Sequence, residues 1–382
     1  MSADTKITHV GTRPERPPLA PWLQTQLESL LKQRGHAWIL GGPSGLGQFE
    51  LALATARAWL CEQPTPQGAC NQCASCHAVD VHTHADLSVL MPEALSLEFG
   101  WPLDQKTQDD LDAKKRKPSK EIKVDAAREV VSFSQFTRSR GTTKVVLVFP
   151  AERMNHITAN TLLKTLEEPP GAVKFILATE AAHQLLPTIR SRCITHTMVW
   201  PGFDEALAWL QTQTASQPVS DAPVKNARPS KAPDAADLQT LLTAAGGRPA
   251  DALAWAQSAS PADTARHWQS LPVAMARGDV SALTGFAPGE AVVALQKLCH
   301  DALAMKMGAV PRFFSAEDIA AVSAARPGLA VKQNLSGAAS VQALSQWAKE
   351  LAITARTVEH PYNPGLMLEV LVGRAALALS VK

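Results

Sequence analysis

The sequence predicts an α/β core built on a parallel sheet with helices on both faces, followed by wholly helical regions. Three observations predict it. The stretch Gly42-Pro43-Ser44-Gly45-Leu46-Gly47-Gln48-Phe49 keeps the glycine spacing of a phosphate-binding loop set between a strand and a helix. Strand-like runs at residues 38–40, 86–91, 144–148, 174–178 and 194–199 alternate with segments of helical period, the order that gives a parallel sheet in layers. From Pro261 to Lys382 every periodic segment reads as helix and none as strand.

Length and composition bound the rest. The 382 residues suffice for two or three domains, and a hydrophobic content of 46% supports a sizeable core. A net charge of +2 makes no electrostatic footprint for independent nucleic-acid binding. No apolar run is long enough to span a bilayer. Residues 1–18 are polar and proline-rich, without the apolar stretch of a signal peptide. A cytoplasmic protein with reduced thiols is expected.

Taken in order, residues 21–34 form the first expected helix, with Leu23, Leu27, Leu30 and Leu31 on one face. Residues 38–40 are a strand and residues 49–61 a helix, with the glycine loop between them. The loop lacks its usual chemistry. Gln48 stands where a lysine reaches the terminal phosphates, and Phe49 stands where a hydroxyl holds Mg²⁺. Gly42, Gly45 and Gly47 thus frame a degenerate nucleotide site; an ordinary glycine-rich turn is the other reading. Next come Cys61, Cys70, Cys73 and Cys76, spaced C-x8-C-x2-C-x2-C. Four thiolates in a tight turn suit a closed, structural Zn²⁺ site. An iron–sulfur cluster also takes four thiolates, and free thiols are a third reading. His77, His82 and His84 read as bystanders, since four cysteines already suffice.

Residues 92–120 lose periodicity and end on Lys114-Lys115-Arg116-Lys117, read as a solvated loop because no basic face surrounds the run. Residues 123–137 return to helical spacing. The strand at 144–148 ends in Phe149-Pro150, where an active P-loop ATPase carries acidic residues that hold Mg²⁺ and polarise water. Glu152 follows two positions on, where strand-end geometry does not aim it at the same place. Asn155 caps a helix with the stripe Ala159, Leu162, Leu163 and Leu166, stopped by Pro169-Pro170. A helix is expected near 184–189. Beyond Trp200 the sequence predicts a helix at 204–212, a linker rich in Ser, Pro, Ala and Lys at 214–234, and helical structure at 238–256 around Gly246-Gly247-Arg248-Pro249. Helices then follow at 262–275, 290–307, 316–325, 341–358 and 363–379.

Three stretches carry a family resemblance: Asn160-Thr161-Leu162-Leu163-Lys164-Thr165-Leu166-Glu167-Glu168-Pro169-Pro170, Phe175-Ile176-Leu177-Ala178-Thr179 and Ser191-Arg192-Cys193. They resemble the bacterial clamp loader family, the AAA+ subunits of the DNA polymerase III holoenzyme. The positions of the glycine loop and cysteines, Pro21-Trp22-Leu23 and Arg34-Gly35-His36-Ala37 also look like that family. The resemblance covers residues 20–200; beyond them only the layout is similar.

The resemblance implies that residues 1–200 are an AAA+ core with a zinc module, residues 201–260 a small helical lid and residues 261–382 an all-helical collar for oligomerisation. It implies that the four cysteines bind zinc. It also implies that Arg192, flanked by Ser191 and Cys193, is an arginine finger acting in trans on a neighbour's ATP; an arginine capping a helix end is the alternative. The losses at Gln48, Phe49 and Phe149-Pro150 point to a family member that does not hydrolyse ATP. Ala250 stands where ATPase members carry a sensing arginine, with Arg248 displaced by two residues. Glu180, at the sensor position, would repel phosphate. Residues 92–120 and 214–234 look like insertions.

The expected function is a non-catalytic stator in a ring of ATPase subunits and a delta-like subunit. Through that ring it would serve the sliding clamp and primed DNA, with no membrane partner and no productive ATP binding. One rival is an ATP-hydrolysing loader subunit, opposed by Gln48, Phe49 and Phe149-Pro150. The other is a zinc-stabilised DNA-binding module, opposed by the near-neutral charge and the lack of basic stretches interleaved with aromatics.

Overall fold

The computed structural model describes residues 18–216, 233–258, 260–324, 337–358 and 363–380. The chain divides into two compact units, Met1–Trp200 and Pro201–Lys382. Parts of two expectations, the polar start (residues 1–17) and the linker (residues 217–232), lie outside the described residues, as does Ala325 at the end of the helix expected at 316–325.

In the first unit the elements run α1 (Pro21–Leu31), β1 (Ala37–Gly41), α2 (Gln48–Leu60), α3 (Ala74–Asp80), β2 (Leu87–Leu90), α4 (Glu93–Glu98) and α5 (Gln105–Asp112). They continue with α6 (Val124–Gln135), β3 (Lys144–Val148), α7 (His156–Glu167), β4 (Val173–Thr179), α8 (Pro187–Arg190) and β5 (Ile194–Thr197). The sheet has the order β2-β3-β4-β1-β5, and every neighbouring pair is parallel. A parallel sheet covered on both faces needs strands that are apolar throughout, which is why β1 and β3 are buried along their whole length. On one face Ile39, Val146, Phe175 and Leu177 pack with Val130 of α6 and Leu162 and Leu166 of α7. On the other, Trp38 meets Trp59 of α2 with ring centroids 4.8 Å apart. The Asn155 side chain caps α7 by accepting the Thr158 N–H at 2.9 Å.

Three expectations need correction. Residues 92–120 are not a featureless loop: they contain α4 and α5. Helix α5 buries none of its residues, so no apolar stripe marks it in the sequence. The helix expected near 184–189 is a 3₁₀ turn, Ala182–Gln184, followed by the single-turn α8. Within 238–256, Gly246 and Gly247 take φ of 70° and 77°, a left-handed pair that ends one helix before Pro249 starts the next.

The basic run also differs in part. Lys114, Lys115 and Lys117 are exposed, but Arg116 turns inward and donates through Nη2 to Glu93 Oε1 at 3.0 Å. Glu93 also accepts from the Ser119 N–H at 2.9 Å and pairs with Lys123. Burial alone would raise the Glu93 carboxyl, but Arg116, Lys123 and the Ser119 N–H hold it down at about 2. A depressed carboxyl stabilises the fold above its unfolded value and loses that stabilisation as pH falls toward its folded value. The segment between Pro92 and Lys123 should therefore loosen as pH drops from about 4.5 toward 2, with a contribution of about 2 kcal/mol at neutral pH once solvent screening at the part-exposed Arg116 and Lys123 is discounted. Glu93→Gln should remove most of that acid-sensitive stability. Urea unfolding at pH 7 and pH 3 checks it; equal losses for the two proteins between those pH values would contradict it.

Among the described residues, the regular elements of the second unit are all helices. Helices α9 (Phe203–Ser216), α10 (Ala235–Ala244) and α11 (Pro249–Ala256) pack around Leu210, Leu238, Leu241 and Leu242. Helices α12 (Pro261–Arg277), α13 (Pro288–Lys306), α14 (Ala316–Ala324), α15 (Gly337–Thr357) and α16 (Pro364–Ser380) enclose a core of Trp268, Leu271, Leu295, Leu298, Trp347 and Leu371. The fully buried Asp301 carboxylate accepts the N–H groups of Arg312, Phe313 and Phe314, fixing the approach to α14. Among the described residues, no helix is long and apolar enough to cross a membrane.

Candidate functional site

The glycine loop leaves the carboxyl end of β1 and turns into α2 at Gly47, whose φ is 93°. A Cβ at Gly47 would stand 2.6 Å from Leu23 Cδ1, so glycine is required there by conformation and by space. Helix α1 lies over the loop: Trp22 Nε1 donates to Leu46 O at 3.1 Å. The Gln48 amide folds back into the loop and donates to the carbonyls of Gly42 and Pro43 at 2.7 and 2.6 Å. It is 3% exposed. Nothing of it reaches outward as a lysine ammonium would.

Phe49 stacks on Phe99 with centroids 4.9 Å apart and leans on Phe149 at 5.3 Å. The two sequence positions expected to hold a metal in an active loop are therefore joined by an aromatic cluster. Phe99 comes from the C-terminal end of α4, inside the segment that sequence periodicity left blank. Sequence reasoning missed it; the only signal was that both partners, Phe49 and Phe149, had become phenylalanine. Glu152 is bound elsewhere: its carboxylate accepts from Thr179 Oγ1 at 2.6 Å and from the Glu180 N–H at 3.2 Å. It thus ties the turn after β3 to the end of β4, while Glu180 itself is exposed.

All four cysteine sulfurs lie within 4.8 Å of one another. Cys61 sits at the C-cap of α2 and Cys73 at the N-cap of α3; their sulfurs are 3.9 Å apart. Backbone N–H groups point at the sulfurs, with Cys70 donating to Cys61 at 3.2 Å and Cys76 to Cys73 at 3.4 Å. Such donors favour thiolate over thiol. The N–H groups of Gln72 and Cys73 hold Cys70 down at about 6, whereas burial raises Cys76 and Cys61. The cluster is compatible with a structural zinc ion.

The three histidines are engaged apart from the sulfurs or stand outside the group. His84 accepts the Asp86 N–H at Nδ1 and donates from Nε2 to Ser75 Oγ, which donates in turn to Leu60 O. His82 stacks on Trp101. His77 is not among the clustered ligands.

Arg192 follows α8 and its C-cap Ser191. Its guanidinium donates through Nε to Glu167 Oε1 at 2.6 Å and through Nη1 to Thr188 O at 2.8 Å. Nη2 makes a second contact with Glu167. It is both a helix-end cap and half of an ion pair, with side-chain exposures of 32% for Arg192 and 45% for Glu167. Cys193 packs against the α6–α7 core, and burial pushes its thiol up to about 12. Because all five strands run the same way, Arg192 precedes the amino end of β5 while the glycine loop follows the carboxyl end of β1. The five residues of β1 separate the two sites by about 17 Å along the strand direction. Arg192 and the chain's own loop are therefore at opposite ends of the sheet. In the second unit, Arg248 is held by Ala245 O at 2.8 Å and by Asp251 at 3.0 Å, with Ala250 in the first turn of α11.

Known proteins resemble this chain most clearly in its first unit. Residues 19–199 match the family described as DNA polymerase III, delta subunit. DNA polymerase III subunit delta′ of Pseudomonas aeruginosa is 35% identical over 231 residues, covering 60% of this chain and 58% of its own. The Escherichia coli subunit delta′ is 34% identical over 203 residues, covering 52% and 54%. DNA polymerase III subunit gamma of Buchnera aphidicola subsp. Schizaphis graminum is 31% identical over 159 residues, covering 42% and 37%. The chain thus spans little more than half the length of these delta′ relatives. Residues 19–199, which hold the glycine loop, the cysteine cluster and Arg192 in one parallel-sheet unit, are thus similar to the DNA polymerase III delta and delta′ subunits.

Proposed function

We propose that this chain is a delta′-like, non-hydrolysing stator of a bacterial clamp loader. The observation that carries the reading is the pairing of a filled nucleotide loop with a rim arginine at the far end of the sheet. Gln48 satisfies the loop's own carbonyls, and Phe49 and Phe149, packed together with Phe99, occupy the positions where a metal would need oxygen ligands. Arg192 lies too far from that loop to serve it, and serves a neighbour's ATP instead. An arginine supplied in trans stabilises charge on a transferring phosphoryl group without any intact loop in its donor.

In this reading residues 201–260 are the lid and residues 261–382 the collar that joins ATPase and delta-like subunits in a hetero-oligomeric ring. The ring acts in the cytoplasm and loads the sliding clamp on primed DNA during replication. The metal is structural zinc. Four sulfurs about 2.3 Å from one ion lie about 3.8 Å apart, matching the 3.9 Å between Cys61 and Cys73; a multi-iron core would hold its sulfurs further apart. The cluster closes without an open ligand position, so zinc braces the fold and takes no part in chemistry.

Two measurements test the reading. Mixed with ATPase and delta-like subunits, the chain should enter a discrete complex whose native mass contains one copy. Gln48→Lys should not create ATP turnover in the isolated chain, because Phe49 and Phe149 still offer Mg²⁺ no ligand. Appreciable turnover by that variant would contradict the filled-site reading.

A further inference from the structure

The second unit contains a cavity of about 890 Å³ bounded by α10, α11, α12 and α13 and the end of α15. Its walls include Trp255, Trp268, Phe286 and Val292. That volume and that apolar lining are those of a pocket for a small organic molecule.

One buried charge faces it. Lys297 is 8% exposed and lines the cavity. Its Nζ donates to Ala244 O at 2.7 Å and stands 5.1–5.4 Å from the ring centroids of Trp255, Trp268 and Phe313. No carboxylate among the described residues pairs with it. The other charged groups of the lining are already engaged: Arg248 with Asp251, Asp263 with Arg266, and Glu290 with the Ala287 N–H. His267 is bound to Ala282 O. An ammonium has three donors, and only one of these has a described acceptor. Burial pushes the amine down to about 8, which leaves it mostly charged at pH 7. A buried cation is costly when no carboxylate touches it; Asp251, already paired with Arg248, acts on it only at a distance, and the rings offset only part of that cost.

We propose that this cavity binds an aromatic anion, its flat apolar body among Trp255, Trp268 and Phe286 and its carboxylate, sulfonate or phosphate on Lys297. The anion supplies the acceptors that the ammonium lacks. The rings supply faces on which a planar ligand stacks.

The test uses 8-anilinonaphthalene-1-sulfonate and its uncharged counterpart N-phenyl-1-naphthylamine as fluorescent probes of the full-length protein. The sulfonate should bind one per chain. Lys297→Met should weaken it on the order of tenfold, the loss of one charge-assisted hydrogen bond, while changing the uncharged probe less than about twofold. Thermal unfolding verifies that the variant is folded. Where it is not, Gly289→Leu decides. A Cβ at Gly289 meets nothing nearer than Val358 Cγ1 at 4.0 Å, so the new side chain can enter the cavity without touching Lys297, and both probes should be lost. Sulfonate binding that survives unchanged in folded Lys297→Met, or in Gly289→Leu, would overturn the proposal and leave Lys297 as a cap on the end of α10 only.

Discussion

Replacing Arg192 with alanine is expected to silence one ATP site of the assembled loader while leaving this chain folded. The pair it forms with Glu167 is partly exposed, and such pairs contribute about 0–1 kcal/mol. The thermal midpoint of the isolated protein should therefore barely move. Hydrolysis at the receiving site should fall by a factor on the order of 10³, the lower end of the range for fingers supplied in trans. Total ATPase falls only by that site's share, but clamp loading, which needs the whole cycle, falls further. Arg192→Lys should also be impaired, since an ammonium cannot reproduce the planar fork that matches phosphate oxygens. Reconstitution of the complex with each variant, with ATPase and assembly measured side by side, checks the prediction. Full activity in a normally assembled Arg192→Ala complex would reduce Arg192 to its visible local role, capping α8 and pairing with Glu167.

Removal of the metal is expected to have the larger effect on this chain's own structure. Elemental analysis should find one zinc per chain in the wild type and much less in Cys76→Ser. Cys76 is fully buried, and its loss leaves three thiolates crowded in a turn without their shared cation. Structural zinc contributes on the order of 10 kcal/mol in small metal-organised units. Here the cluster joins the end of α2 to the start of α3, so that region should lose hydrogen-exchange protection. The helical second unit should keep its far-UV circular dichroism. Iron in carefully purified protein, or no metal at all, would contradict the assignment.

The core of the first unit was legible because its strands obey a simple rule. A strand covered on both faces is apolar throughout, and Lys144-Val145-Val146-Leu147-Val148 announces itself without any knowledge of its neighbours. The cap at Asn155 and the stop at Pro169 are equally local. What escaped was whatever depends on contact rather than pattern. Helix α5 buries nothing, and Arg116 within a basic run gives no sign that Glu93 awaits it 23 positions earlier. The filled loop was half legible. The absence of lysine, hydroxyl and acid could be read from Gln48, Phe49 and Phe149, but the closing ring, Phe99, arrives from a segment with no periodicity. The Glu167 partner of Arg192 sat in a quoted motif, yet nothing in the linear order joins residues 25 positions apart. The cavity beside Lys297 left no sequence signal, because its walls come from five helices that each read as ordinary core.

The most direct test of the stator reading is nucleotide turnover by the purified chain alone, with Mg²⁺ and ATP at millimolar concentration. A loop whose carbonyls are bonded to Gln48 and whose metal positions hold Phe49 and Phe149 should give no hydrolysis above buffer. Turnover that rises with protein concentration and disappears on a Gly47 substitution would contradict that reading and place the chain among the ATP-hydrolysing subunits.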